Sequence, residues 1–158
     1  MNQQCKSNNC AAGICHSRPK YKISVYLRGA AVCNQEMRWG DKSDAYAKLE
    51  LNVRGRREVK TSKRVENNHL PLWKEWIHWG TIFEQQDDNE TFRLKIHLYD
   101  WDWNDDTRHH DNLGYYQQTF DLKPTDKLYE GQGLHGSPCS DTDHGNPRVL
   151  FQLKVEEV

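Results

Sequence analysis

At 158 residues with a formal net charge of −1, the chain is long enough to bury the core of one domain, and its charge balance excludes any global electrostatic argument for nucleic-acid or membrane binding. Only 35% of residues are hydrophobic and mean hydropathy is −1.02, a polarity near that of disordered chains. Four Phe, six Trp and seven Tyr offset it by burying large area from few positions, so a folded domain with a very polar surface is expected.

Residues 1–19 read as an irregular Cys-rich leader ending at Arg18-Pro19, and residues 20–158 as the domain. The leader lacks the apolar core of a signal peptide, and no later segment approaches a transmembrane span; removal of a segment upstream would leave the same chain. Cys5, Cys10 and Cys15 stand at five-residue steps, followed by Cys33 and Cys139, an odd total of five. The preferred reading is a secreted protein with two disulfides and one spare thiol. A zinc site from Cys5, Cys10, Cys15 and His16, lacking the short Cys-x2-Cys knuckle, and unpaired cytosolic thiols are the alternatives.

From Tyr21 onward short alternating segments dominate and no helix is expected. Tyr21 to Leu27 alternates and ends at Gly29, and Ala45 to Val53 alternates before Arg54-Gly55. Further strands are expected at Arg57 to Val65, Trp73 to Trp79 and Thr91 to Tyr99, where Phe92, Leu94, Ile96 and Leu98 share one face and Arg93, Lys95 and His97 the other. Gly114 to Phe120 and Arg148 to Val155 follow, with a strand or turn region between Lys127 and Asp143. Regular short strands separated by turns indicate an all-β, eight-stranded antiparallel sandwich.

The stretch Leu98-Tyr99-Asp100-Trp101-Asp102-Trp103-Asn104-Asp105-Asp106, continuing to Asp111-Asn112-Leu113-Gly114, holds five carboxylates and two tryptophans. Carboxylates this crowded repel one another unless solvent or a hard cation neutralises them, and amphipathic Trp suits a bilayer interface. Asp100 and Asp102 continue the parity of Leu98, so both project from one side of the strand, while Trp101 points the other way. Calcium takes six to eight oxygens, so a second loop must contribute. Trp39-Gly40-Asp41-Lys42-Ser43-Asp44 is the candidate.

Three ordered motifs carry a resemblance. Ser43-Asp44-Ala45-Tyr46-Ala47-Lys48 resembles the S-D-P/A-Y-V-K signature of C2 domains. Asn67-Asn68-His69-Leu70-Pro71-Leu72-Trp73-Lys74-Glu75 resembles their N-x-N-P-x-W-x-E, and Tyr99-Asp100-Trp101-Asp102 with Asp111-Asn112-Leu113-Gly114 resembles W/Y-D-x-D followed by D-x-L-G. The resemblance spans Tyr21 to Val155, and in wording is closest to the C-terminal C2 domain of perforin and its relatives. It implies Ca2+ as cofactor, an anionic phospholipid membrane as partner, no nucleic acid and no reaction. By motif position Asp44, Asp100, Asp102 and Asp111 match calcium-ligating aspartates, and the Trp101 carbonyl matches the main-chain ligand. The earlier first-loop aspartate is replaced by Arg38, with Asp41 or Glu36 as substitutes. The third loop is three residues longer than usual, which offers Asp105 or Asp106 as replacement ligands.

Trp73, Ile77 and Trp79 are assigned to the core, Trp39 and Trp103 to membrane insertion, and Trp101 to either role. Arg54, Arg56, Arg57, Lys60, Lys63 and Arg64 form a basic group, of which Arg56, Lys60, Lys63 and Arg64 are the headgroup candidates. A charged edge strand guarded against pairing is the plain alternative. Trp76 falls on the outward parity and supports a competing reading, a calcium-independent module that binds a protein partner. Although His109-His110 sits beside the acidic loop, no nucleophile elbow, phosphate-cradling Gly loop or His-Glu-x-x-His motif is present, so no catalysis is expected.

Overall fold

A computed structural model describes residues 10–11, 14–15, 17–33, 44–66, 68, 70–101, 111–142 and 145–158. Two-residue strands β1 (Cys10–Ala11) and β2 (Ile14–Cys15) pair with each other, Cys10 opposite Cys15. The remaining strands are β3 (Lys20–Ala31), β4 (Ala45–Val53), β5 (Arg56–Thr61), β6 (Leu72–His78), β7 (Phe83–Glu84), β8 (Thr91–Asp100), β9 (Asp111–Asp121), β10 (Thr125–Gln132) and β11 (Arg148–Glu157). One sheet has the order β5-β4-β8-β9, the other β10-β11-β3-β6 with β7 paired to β3, and the pairings are antiparallel. The expected sandwich is present, with nine strands in its two sheets rather than eight among the described residues. The addition is β7, too short for its alternation to register.

The core follows from period two. Phe92, Leu94, Ile96 and Leu98 of β8 are buried, as are Leu49, Leu51 and Val53 of β4, and they face Ile23, Val25 and Leu27 of β3 and Phe151, Leu153 and Val155 of β11. Trp73, Ile77 and Trp79 take the core positions assigned to them. Fully burying one such aliphatic or aromatic side chain stabilises the fold by about 1.5–3 kcal/mol, which is how so polar a chain holds together.

β3 does not stop at Gly29. Its register shifts between Leu27 and Gly29 against both neighbours, and the strand continues to Ala31. A Cβ on Gly29 would lie 2.8 Å from the Pro71 carbonyl oxygen and from Leu72 Cδ2, so glycine there lets the chain leading into β6 cross closely. The Ala30 amide donates to that same Pro71 carbonyl at 3.0 Å.

Strand directions put the β3–β4, β5–β6, β8–β9 and β10–β11 connections at one end of the sandwich. Cys33, just past β3, is bridged there to Cys139 in the β10–β11 connection, with Cα atoms 6.0 Å apart.

Candidate functional site

Three aspartates stand side by side at the loop end because three adjacent strands end or begin there. Asp44 immediately precedes Ala45, which is opposite Asp100 on β8, and Asp100 is opposite Asp111 on β9. The Asp44 amide donates to Asp100 Oδ1 at 2.7 Å, and the Trp101 amide donates to the Asp44 carbonyl at 3.0 Å. Asp100 is 1% exposed, Asp44 half-buried and Asp111 exposed. Asp100 keeps the inward parity of Leu98, as alternation requires, whereas Asp111 belongs to β9 rather than to a loop.

Hard carboxylate oxygens are the donor type that calcium takes. Among the described residues no group of three or more His, Cys, Asp or Glu side chains is gathered closely enough to hold a metal ion. Asp41, Asp102, Asp105 and Asp106, expected to complete the set, lie outside the described residues, as do Glu36 and both expected anchors, Trp39 and Trp103.

The β5–β6 connection forms the second wall. Trp73 Nε1 donates to the Lys63 carbonyl at 2.9 Å, and the Lys63 amide donates to Glu75 Oε2 at 3.0 Å. The W-x-E wording is therefore a clasp on residue 63. Asn68 Oδ1 accepts the Leu70 amide at 2.8 Å, an Asx turn within the same connection. Arg64 lays its guanidinium over the Trp101 ring, 3.9 Å from the centroid, and pairs with Glu66 at 2.8 Å. Trp101, half-buried just past β8, is thus in contact with the β5–β6 connection.

The four headgroup candidates do not share one face. In register, Arg56 and Lys60 lie opposite Val53 and Leu49, on the inward side of β5, whereas Arg57 lies opposite Asn52 on the outward side. β5 ends at Thr61, so Lys63 and Arg64 follow it in the connection. Arg56 pairs with Glu58 at 3.3 Å and Arg57 with Glu50 at 2.9 Å, while Lys60 and Lys63 are exposed.

A second cationic surface, not singled out from the sequence, lies on the outer face of the same sheet. Lys48 is opposite His97, and Tyr99 is opposite Tyr46. Lys48 Nζ stands 5.4 Å from the Tyr99 centroid and Lys95 Nζ 4.5 Å from that of Tyr115. The Tyr99 ring stacks on Tyr46 at 5.5 Å and on His97 at 4.1 Å. The nearest acid on β4, Glu50, is engaged by Arg57. Burial, with Lys95 and Lys48 nearby, holds the His97 imidazole below its usual pKa, against the opposing hydrogen bond from Asn112. The parity of Lys95 and His97 on β8 was the available signal; the missing part was that β4 and β9 would set Lys48 and Tyr115 beside them.

A two-sheet antiparallel sandwich with aspartates and basic residues at one loop end defines the class as an all-β sandwich domain. The chain belongs to the C2 domain family, whose profile matches residues 22–134. No curated protein matches the sequence. Among solved structures, a single C2 domain of a plant extended synaptotagmin 1 superposes with a TM-score of 0.61 at 17% identity, covering 90% of this chain and 98% of that one. Human GIVD cytosolic phospholipase A2 gives 0.60 at 16%, with 90% of this chain matching 17% of the enzyme. A calcium-bound structure of two C2 domains of extended synaptotagmin 2 gives 0.58 at 17%, over 89% and 47%. At these identities the likenesses show the fold.

Proposed function

We propose that this C2 domain is a Ca2+-dependent module for binding anionic phospholipid membranes. The side-by-side placement of Asp44, Asp100 and Asp111 at one end of the sandwich carries the reading. Asp41, Asp102 and Asp106 complete the ligand set in this proposal, with the Trp101 carbonyl. Bound Ca2+ would supply positive charge that cancels repulsion between the aspartates and lipid phosphates. The chain itself holds Asp100 in place through the Asp44 amide, and holds Trp101 through its amide on the Asp44 carbonyl and its ring beneath Arg64. Trp39 and Trp103 enter the interfacial zone, and exposed Lys60 and Lys63, with Arg56 and Arg64, meet the headgroups together with Lys48 and Lys95.

Residues 1–19 are taken as a leader to the domain of residues 20–158. The bridge between Cys33 and Cys139 supports an oxidising, extracellular setting, and the perforin-like wording around Trp39 and Ser43 supports service to a pore-forming system. A C2 domain is a non-catalytic module, and no reaction is assigned to this one.

Co-sedimentation with phosphatidylserine liposomes tests the proposal. Binding should appear with Ca2+, vanish with chelator and be abolished by Asp100→Asn, which preserves the acceptor for the Asp44 amide. Equal binding in both conditions would overturn the calcium mechanism. The second reading, a calcium-independent protein-binding module, expects no liposome binding with or without Ca2+. It is favoured by Trp76, 41% exposed on the outer face of the other sheet and packed 5.1 Å from Tyr26.

A further inference from the structure

His97 lies in the middle of the lysine- and tyrosine-bearing sheet face, and its hydrogen bonds fix which nitrogen carries the proton. Asn112 Nδ2 donates to the Gly136 carbonyl at 2.9 Å, and Asn112 Oδ1 accepts the Gly114 amide at 3.0 Å. Both partners are backbone groups of fixed polarity, so the amide has one orientation and Oδ1 is an acceptor. His97 Nε2, 2.7 Å from that Oδ1, is therefore the protonated nitrogen. In the neutral ring Nδ1 is then a bare acceptor, and the Tyr99 hydroxyl, 2.9 Å away, must donate to it. The phenol thus spends its proton on the imidazole and turns only lone pairs outward, the wrong polarity for an anion.

Protonation reverses this. A proton taken from solvent onto Nδ1 makes that nitrogen a donor to Tyr99 Oη, and the phenolic O–H is released to point elsewhere. Both ring nitrogens then have acceptors, and the face gains a third positive charge and a donor beside Lys48 and Lys95. The charged or titratable groups around the ring are Lys48 and Tyr46 on β4, Lys95 and Tyr99 on β8, Tyr115 on β9, and His135 on the β10–β11 connection, whose ring is 5.4 Å from Tyr115; next along the same face of β4, opposite Lys95, is Glu50, which is paired with Arg57. Glu50 is the one acid on the β4 side of this face and its charge is taken up by Arg57, so a bound anion would be the favourable neighbour of the imidazolium.

We propose that anion binding on this face is coupled to proton uptake by His97, which turns the Tyr99 hydroxyl from the imidazole toward the ligand. The ligand class is a phosphate- or sulfate-bearing polyanion, and the inference rests on reading Lys48 and Lys95 as part of the headgroup site.

Isothermal titration calorimetry with inositol hexakissulfate, whose charge is constant between about pH 5 and 8, isolates the linkage when run in EDTA and in two buffers of different ionisation enthalpy. Affinity should rise as pH falls, by up to about tenfold per unit, with up to about one proton taken up per ligand. His97→Gln should keep the affinity measured at pH 8 and lose the pH dependence, and Tyr99→Phe should lose most of the gain at acid pH. In the wild-type protein the probe should also raise the His97 pKa read by NMR. Binding that needs Lys48 and Lys95 but has the same pH profile in wild type and His97→Gln would overturn the linkage alone. No binding at any pH would overturn the anion site, and the linkage with it. Vesicles of phosphatidylcholine with and without phosphatidylinositol bisphosphate separate the sources: tighter binding to the phosphorylated vesicles than to the soluble probe assigns the face to a lipid headgroup.

Discussion

His97 shows how one side chain links the surface chemistry of this sheet to its stability. Its pKa is lowered in the folded protein, chiefly by burial, so the unfolded chain binds a proton at higher pH than the folded one. The stabilisation from the neutral, hydrogen-bonded ring is therefore complete above the unfolded value near 6.5 and is lost as pH falls from there through the folded value. Urea midpoints for wild type and His97→Gln, measured from pH 8 to pH 5, should converge as the pH drops; a constant gap would show that His97 does not carry the effect. At this scale much was legible. Asp44, Asp100 and Asp111 were read as neighbours from motif order, and alternation alone settled the inward side of Asp100. The hydrogen-bond route from Tyr99 through His97 to Asn112 was not, because it depends on a strand pairing and on a backbone carbonyl at Gly136, twenty-four residues beyond Asn112.

Elements were most legible where both their faces had different jobs. Ala45 to Val53 and Thr91 to Tyr99 alternate cleanly because one face packs on the core and the other meets solvent or a neighbour's polar side chain. β10 is illegible in the sequence because it is a sheet edge with Lys127, Leu128 and Glu130 exposed, so burial never imposes a period on it. β9 was expected from Gly114 and in fact starts at Asp111, because a register shift between Leu98 and Tyr99 breaks the alternation there. Gly114 sits at that irregularity with φ of 108°. A Cβ would lie 2.8 Å from Leu134 Cβ and 3.2 Å from the His135 carbonyl oxygen, where the β10–β11 connection bridges to Tyr115. Gly114→Ala therefore combines a backbone conformation costly for L-residues with a clash that neither rigid neighbour can relieve. A loss of about 2–5 kcal/mol in chemical denaturation is expected. A loss below about 0.5 kcal/mol would mean that the β10–β11 connection yields freely and does not fix this end of β9.

In the whole molecule the candidate aspartates gather at one end, where the described residues tie the connections together across long sequence separations. The sandwich pairs β3 with β11 and β4 with β8 along most of their lengths, and among the described residues the connections beyond those strands are joined by hydrogen bonds such as Tyr115 with His135, by the Arg64–Trp101 stack and by the Cys33–Cys139 bridge. The odd cysteine count allowed several pairings, and nothing in the spacing of Cys33 and Cys139 marks them as partners; only the antiparallel return of β11 alongside β3 brings positions 106 apart in sequence together. Closing so long a loop restricts the unfolded chain strongly, by about 4–5 kcal/mol in the chain-entropy account. The paired substitution Cys33→Ser with Cys139→Ser should therefore lower the thermal midpoint by roughly 10 °C. A shift of at least this size should follow when the wild-type protein is reduced, and reduction should move the double variant's midpoint less than it moves the wild type's. If the reduced and oxidised wild-type proteins melt together, the bridge does not stabilise the fold, and the loop end must be held by the backbone and side-chain contacts at its rim.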